Sequence, residues 1–69
     1  MTAPATVESI KRPQGILLLS NGETGWVTLW LDANGAECEP HDAMACIGTD
    51  RLDNWYSVDL TQFEGAFIQ

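Results

Sequence analysis

Positive charge is the scarcest property of this chain. Its 69 residues carry three Lys or Arg against ten Asp or Glu, a net charge of −7. Two of the bases, Lys11 and Arg12, precede Pro13, and beyond it only Arg51 is positive. A body this acidic repels phosphate backbones and anionic lipid, which argues against direct nucleic-acid or membrane binding. It favours solubility and attraction to basic surfaces. Long apolar runs are missing too: nothing approaches the ~20 residues that span a bilayer. The basic pair is followed by only a short apolar run at 16–19, which is not a signal-peptide pattern. The expected location is cytoplasmic, where structural disulfides are rare.

Metal-binding and catalytic side chains are few. There are two cysteines and one histidine. Cys38, His41 and Cys46 give a Cys-x2-His-x4-Cys spacing with Asp42 as a poor fourth ligand, and no second Cys/His pair completes a structural zinc site. We expect two small buried cysteines and a solvent-facing histidine, with no metal or other cofactor. A Cys38–Cys46 disulfide is within geometric reach but has no oxidising context. The segment Asp32-Ala33-Asn34-Gly35 resembles part of a calcium loop, yet Trp30 and His41 stand where that loop needs carboxylates, so it reads as an ordinary turn. A nucleophile–base device would rest on His41 alone, amid negative charge that blunts a thiol. The glycines are scattered at turns and form no phosphate loop. No catalytic residues are assigned, and the chain reads as a non-enzyme.

Apolar residues make up 45% of the chain, which argues against wholesale disorder, and the length allows one domain at most. Residues 1–14 lack an apolar period and read as a loose arm, with Val7 and Ile10 the groups able to touch the body. Residues 15–69 form the domain. A short apolar run at 16–20 reads as a strand, closed by the turn signal Asn21-Gly22. The second strand covers 26–31 or 32. A minimal turn at Asn34-Gly35 would set Asp32 against Glu37, like charges directly opposed; a longer loop with Gly35 left-handed avoids this. The return strand, 36–39, ends at Pro40. Residues 40–48 read either as a short helix opened by Pro40 or as a strand at 43–47 that turns through 50–54 into 55–60. The strand is favoured, because 55–60 needs a neighbour. The tail, with Phe63, Phe67 and Ile68, turns at about 61–65 and lays apolar groups on the sheet. The expected fold is mainly β: a small antiparallel sheet of four to five strands from consecutive hairpins, with room for one short helix at about 40–47.

Strict alternation puts Val27, Leu29 and Leu31 on one face of the second strand, shared with Tyr56, Val58 and Leu60 as a core. Trp26, Trp30 and Trp55 then share the opposite face, where large side chains suit a contact surface. Around them lie Asp32, Glu37, Glu39, Asp42, Asp50 and Asp53, placed to steer a basic partner. The expected function is non-catalytic binding to another protein, as an inhibitor or regulator docking on a basic or nucleic-acid-binding partner. In size, acidity and lack of catalytic motifs the chain resembles the small inhibitors made by phages, anti-CRISPR proteins among them. That resemblance is one of kind and covers no specific motif. Two other readings stand beside it. One is a small structural or assembly subunit, such as a virion accessory protein, that self-associates through its aromatic face. The other is a metal-stabilised module.

Overall fold

A computed structural model describes residues 5–62 and the backbone of 66–68. Among the described residues six strands form one sheet: β1 (Val7–Lys11), β2 (Ile16–Leu19), β3 (Thr24–Leu31), β4 (Ala45–Asp50), β5 (Trp55–Asp59) and β6 (Ala66–Ile68). Their order across the sheet is β5-β4-β3-β2-β1-β6. The first five are consecutive antiparallel neighbours, and β6 lies parallel to β1. The fold is thus mainly β, as the turn signals and alternating segments imply. The only helix among the described residues is a 3-10 turn at Pro40–Asp42. Residues 43–47 therefore resolve toward the strand, and the short helix shrinks to one turn opened by Pro40.

Two expectations need correction. The arm at 1–14 holds β1, and its Ile10 is fully buried. Its apolar pattern is obscured by an irregularity in the β1–β2 register between Val7 and Ser9, which breaks the alternation. The expected return strand at 36–39 is a single bridge between Leu31 and Glu37. At the other end, residues 66–68 pair with β1; the side chains of Phe67 and Ile68, and all of Phe63, lie outside the described residues.

One turn design recurs three times, closing the β2–β3 hairpin, the Leu31–Glu37 bridge and the β4–β5 hairpin. In each, two residues four apart bond across a three-residue loop whose last member is left-handed. Leu19 N–H donates to the Glu23 carbonyl around Gly22 (φ 84°), Asp32 N–H to Ala36 around Gly35 (φ 81°), and Asp50 N–H to Asn54 around Asp53 (φ 63°). This is a type I turn followed by a left-handed residue. In two of the loops an Asp clamps the backbone. Asp32 Oδ1 accepts from Asn34 and Ala36 N–H at 2.8 and 3.0 Å; Asp50 Oδ1 accepts from Leu52 and Asn54 N–H at 2.8 and 2.9 Å. Asp32 consequently opposes Ala36, and the repulsive Asp32–Glu37 pairing does not form.

The core lies on one face of a curled sheet. Its fully buried members are Ile10, Leu17, Leu19 and Cys46, joined by Ala43, Tyr56, Val58 and Leu60. Leu17 on β2 arches over β3 toward β4: a Cβ built on Gly48 would lie 2.9 Å from Leu17 Cδ1 and would collide with the Trp26 carbonyl. In a flat sheet those strands stand about 9.5 Å apart, so the contact requires curvature. Gly25 and Gly48 supply the space that the curl needs.

Candidate functional site

A register shift in β3 decides which indoles can meet a partner. Trp26 opposes Thr49 and Val27 opposes Gly48, but Leu29 opposes Ile47, leaving Thr28 as an extra residue. Such a bulge adds one residue to one strand, and every side chain beyond it changes face. The Thr28 hydroxyl donates to the Ile47 carbonyl at 3.1 Å across the irregularity. Val27 stays with the core, as expected. Leu29 and Leu31, expected there too, turn outward, and Trp30 turns inward against Cys46 and the core. Trp30 is therefore removed from the predicted three-indole surface. On β5 the alternation runs undisturbed, so Tyr56 and Val58 enter the core while Trp55 faces out.

Trp26 and Trp55 remain, 48% and 67% exposed. Both oppose Thr49, one from each side, so they flank β4 on the outer face. Ile16 opposes Trp26 from β2 and extends the row to Ile16–Trp26–Thr49–Trp55. The next row holds Leu29, Ile47 and Ser57. The row nearest the 3-10 turn contains Glu37, Leu31, Ala45 and Asp59. The outer face thus runs from an aromatic end through an aliphatic middle to an end flanked by carboxylates. Alternation in 16–19 contained the signal for Ile16 and Leu18, and Leu18 is 41% exposed. The sequence reading passed over Asp59, whose place beside Ala45 depends on the β4–β5 register.

The six acids expected to steer a partner divide by role. Glu37, Glu39, Asp42 and Asp53 are exposed. Asp32 is partly spent on its loop. Asp50 is buried at 9% exposure: besides its two backbone bonds it accepts from Asn54 Nδ2 at 2.9 Å and the Tyr56 hydroxyl at 3.4 Å. Those bonds, the Asn54 side chain foremost, hold its carboxyl below the ordinary range, while burial and the Asp50 charge push the Tyr56 phenol up. Asp50 is a structural acid. Arg51 pairs with Glu23 at 3.1 Å and ties the β2–β3 turn to the β4–β5 turn.

The cysteines flank Trp30. Cys38 N–H donates to the Trp30 carbonyl, and Cys46 opposes Trp30 from β4. Neighbours on opposite sides of one strand stand about 9–10 Å apart, beyond the reach of a disulfide; both thiols are free. Burial pushes the Cys46 thiol up to about 11, partly offset by the Arg12 guanidinium. Desolvation, then Asp32, Asp42, Glu39 and Glu37, raise the Cys38 thiol. Neither is poised as a nucleophile. His41 is exposed, 3.4 Å from Asp42. Among the described residues, no three His, Cys, Asp or Glu side chains come together to hold a metal ion. The β1–β2 turn meets the 3-10 turn at a cleft of about 350 Å³ lined by Arg12, Pro13, Pro40 and His41. Among the described residues, no helix is long and apolar enough to cross a membrane. No protein-family model, curated protein or solved structure matches the chain.

Proposed function

We propose that this chain is a non-catalytic protein-binding module whose outer sheet face docks on a partner with a basic surface, as an inhibitor or regulator of that partner. The carrying observation is the pair Trp26 and Trp55, exposed on one face and joined by Ile16, Leu29 and Ile47. Indoles presented on a rigid sheet bury large area at low entropic cost, and Trp is enriched where binding energy concentrates. The net charge of −7, with Glu37 and Asp59 flanking one end of this face, favours a cationic partner and raises the rate of encounter. The phage-inhibitor resemblance belongs to this reading, and so does a cytoplasmic setting.

Self-association through the same face is the competing arrangement. It would bring two bodies of charge −7 together, and that repulsion weighs against it. Capture from an extract of the source cells tests the proposal, comparing the natural chain with a Trp26→Ala/Trp55→Ala variant. A specific partner should be retained, lost by at least about tenfold in the variant, and released as salt rises. Equal capture by both proteins would overturn the docking face. A dimer indifferent to salt in sedimentation would favour the assembly subunit.

A further inference from the structure

The strand β5 stands at one edge of the sheet. Its bonds to β4 fix which backbone groups are used. Asp50 N–H donates to Asn54, and Leu60 N–H donates to Met44. Antiparallel bonding alternates with period two, so Tyr56 and Val58 turn their N–H and carbonyl groups toward β4. Trp55, Ser57 and Asp59 turn theirs away. Only the Asp59 carbonyl among these has a described partner, the Gln62 N–H. Among the described residues, Trp55 and Ser57 thus have no partner for their outward donors and acceptors, which are spaced to fit one extended strand.

This edge borders an opening in the curled sheet. A cleft of about 280 Å³ lies between β5 and the start of β1, lined by Thr6 and Val7 on one side and by Tyr56, Ser57, Val58 and Asp59 on the other. Among the described residues β6 pairs with Ser9, Ile10 and Lys11. Among the described residues the charge around the cleft is of one sign. Asp59 lines it, exposed Glu8 follows Val7, and exposed Asp53 precedes β5. Among the described residues no base lines it, and Arg51 in the adjoining turn is paired with Glu23. Asp59 Oδ1 is held by Thr61, leaving Oδ2 without a hydrogen bond among the described residues. Trp55 stands at the same edge with its indole exposed, a face on which a guanidinium can stack.

We propose that the β5 edge receives an extended segment of the partner that carries Arg or Lys at alternate positions, added to the sheet as a further strand. Backbone bonds to Trp55, Ser57 and Asp59 fix its register, and alternate cations meet Trp55 and Asp59 on the outer face. This rests on the protein-binding reading above and adds the mode of contact and the chemistry of the bound segment. A second copy of the chain is the poorer occupant, because two β5 edges would bring their Asp59 and Asp53 charges together.

The test uses a short synthetic peptide alternating Arg and Val, blocked at both ends, and a control alternating Glu and Val. Amide exchange of the full chain, followed by nuclear magnetic resonance, should slow by about tenfold or more at Trp55, Ser57 and Asp59 with the Arg peptide and stay unchanged with the Glu peptide. Ser57→Pro removes one outward N–H at an edge position that tolerates proline, so binding should weaken by about tenfold while the spectrum of the core stays native. Binding that leaves the three amides exchanging freely would overturn the edge mode, as would absence of binding. Protection that appears without peptide and grows with protein concentration would also overturn it, in favour of a second copy. The parent reading is separable: Trp26 lies two strands from this edge, so partner capture that Trp26→Ala abolishes and Ser57→Pro leaves intact would keep the docking face and discard the added strand.

Discussion

Trp26 and Trp55 oppose the same residue, Thr49, from opposite sides of β4. Two strand spacings, about 10 Å, separate them, so a single partner patch can cover both rings at once. Trp30, four residues from Trp26, faces the other way because Thr28 is an extra residue in β3. The three indoles therefore have two different jobs, and substitution should separate them. Trp30→Ala empties volume beside Cys46 and the core and should cost about 2–4 kcal/mol. Trp26→Ala and Trp55→Ala remove rings that are 48% and 67% exposed and should each cost less than about 1 kcal/mol. Urea unfolding followed by far-ultraviolet circular dichroism gives all three values; equal losses would contradict the facing assigned here.

Gly48 should resist any side chain. A Cβ there meets the Trp26 carbonyl and Leu17 Cδ1, and the first of these is backbone that cannot step aside. Gly48→Ala should destabilise by about 2–3 kcal/mol or more, whereas Gly48 replaced in a flat sheet would cost nothing comparable. The unfolding midpoint in urea checks this, and an unchanged midpoint would mean that the sheet is less curled than described.

Asp53 holds the left-handed position that Gly22 and Gly35 fill in the sister loops. Glycine adopts that conformation without strain, while other residues pay roughly 1 kcal/mol, Asp somewhat less. Asp53→Gly should therefore raise stability slightly, by about 0.5–1 kcal/mol, a gain that thermal unfolding would register. A loss would show that the Asp53 side chain has a role in the loop.

Acid should weaken the fold through Asp50 and Asp59. Hydrogen bonds from Asn54, and from Thr61, hold these carboxyls below their ordinary pKa of 3.8. A folded-state pKa below the unfolded value means stability that is fully present above that value and lost as pH falls through the lowered one. The natural chain should lose stability progressively below about pH 4. Asp50→Asn should flatten that slope, measured as urea midpoints against pH; an unaltered slope would contradict the assignment.

Thiol chemistry should distinguish the cysteines. Cys46 is fully buried with its thiol pushed up to about 11, while Cys38 is only half-buried. Alkylation at neutral pH, read by mass spectrometry, should modify Cys38 first and Cys46 only as the chain unfolds. Equal rates in the native protein would contradict the burial of β4.

The hairpins were legible where local chemistry dictates them. Asn21-Gly22 and Asn34-Gly35 announce their turns because glycine accepts positive φ without strain, and 55–60 announces β5 by alternation. The third loop was less plain, since Asp rather than glycine takes its left-handed place. The bulge at Thr28 was not legible. It arises from how the β3–β4 ladder accommodates curl, a tertiary demand that leaves no mark in a run apolar on both faces. Everything that followed from strict alternation beyond Thr28 was displaced with it: Leu29 and Leu31 left the core and Trp30 entered it. β1 was hidden similarly, by irregular pairing between Val7 and Ser9. For the acids, charge alone could not separate Asp50, consumed by its turn and Tyr56, from the exposed Glu37 and Glu39.

The pairing of Trp26 with Trp55 on the open face, and the exclusion of Trp30 from it, is tested most directly by fluorine resonance of the chain grown with 5-fluorotryptophan. The solvent isotope shift between light and heavy water reports the exposure of each ring. The resonances of Trp26 and Trp55, assigned by substitution, should show large shifts, and that of Trp30 a markedly smaller one. A Trp30 shift equal to that of Trp55, or a small shift at Trp26, would contradict the two-indole face on which the docking proposal stands.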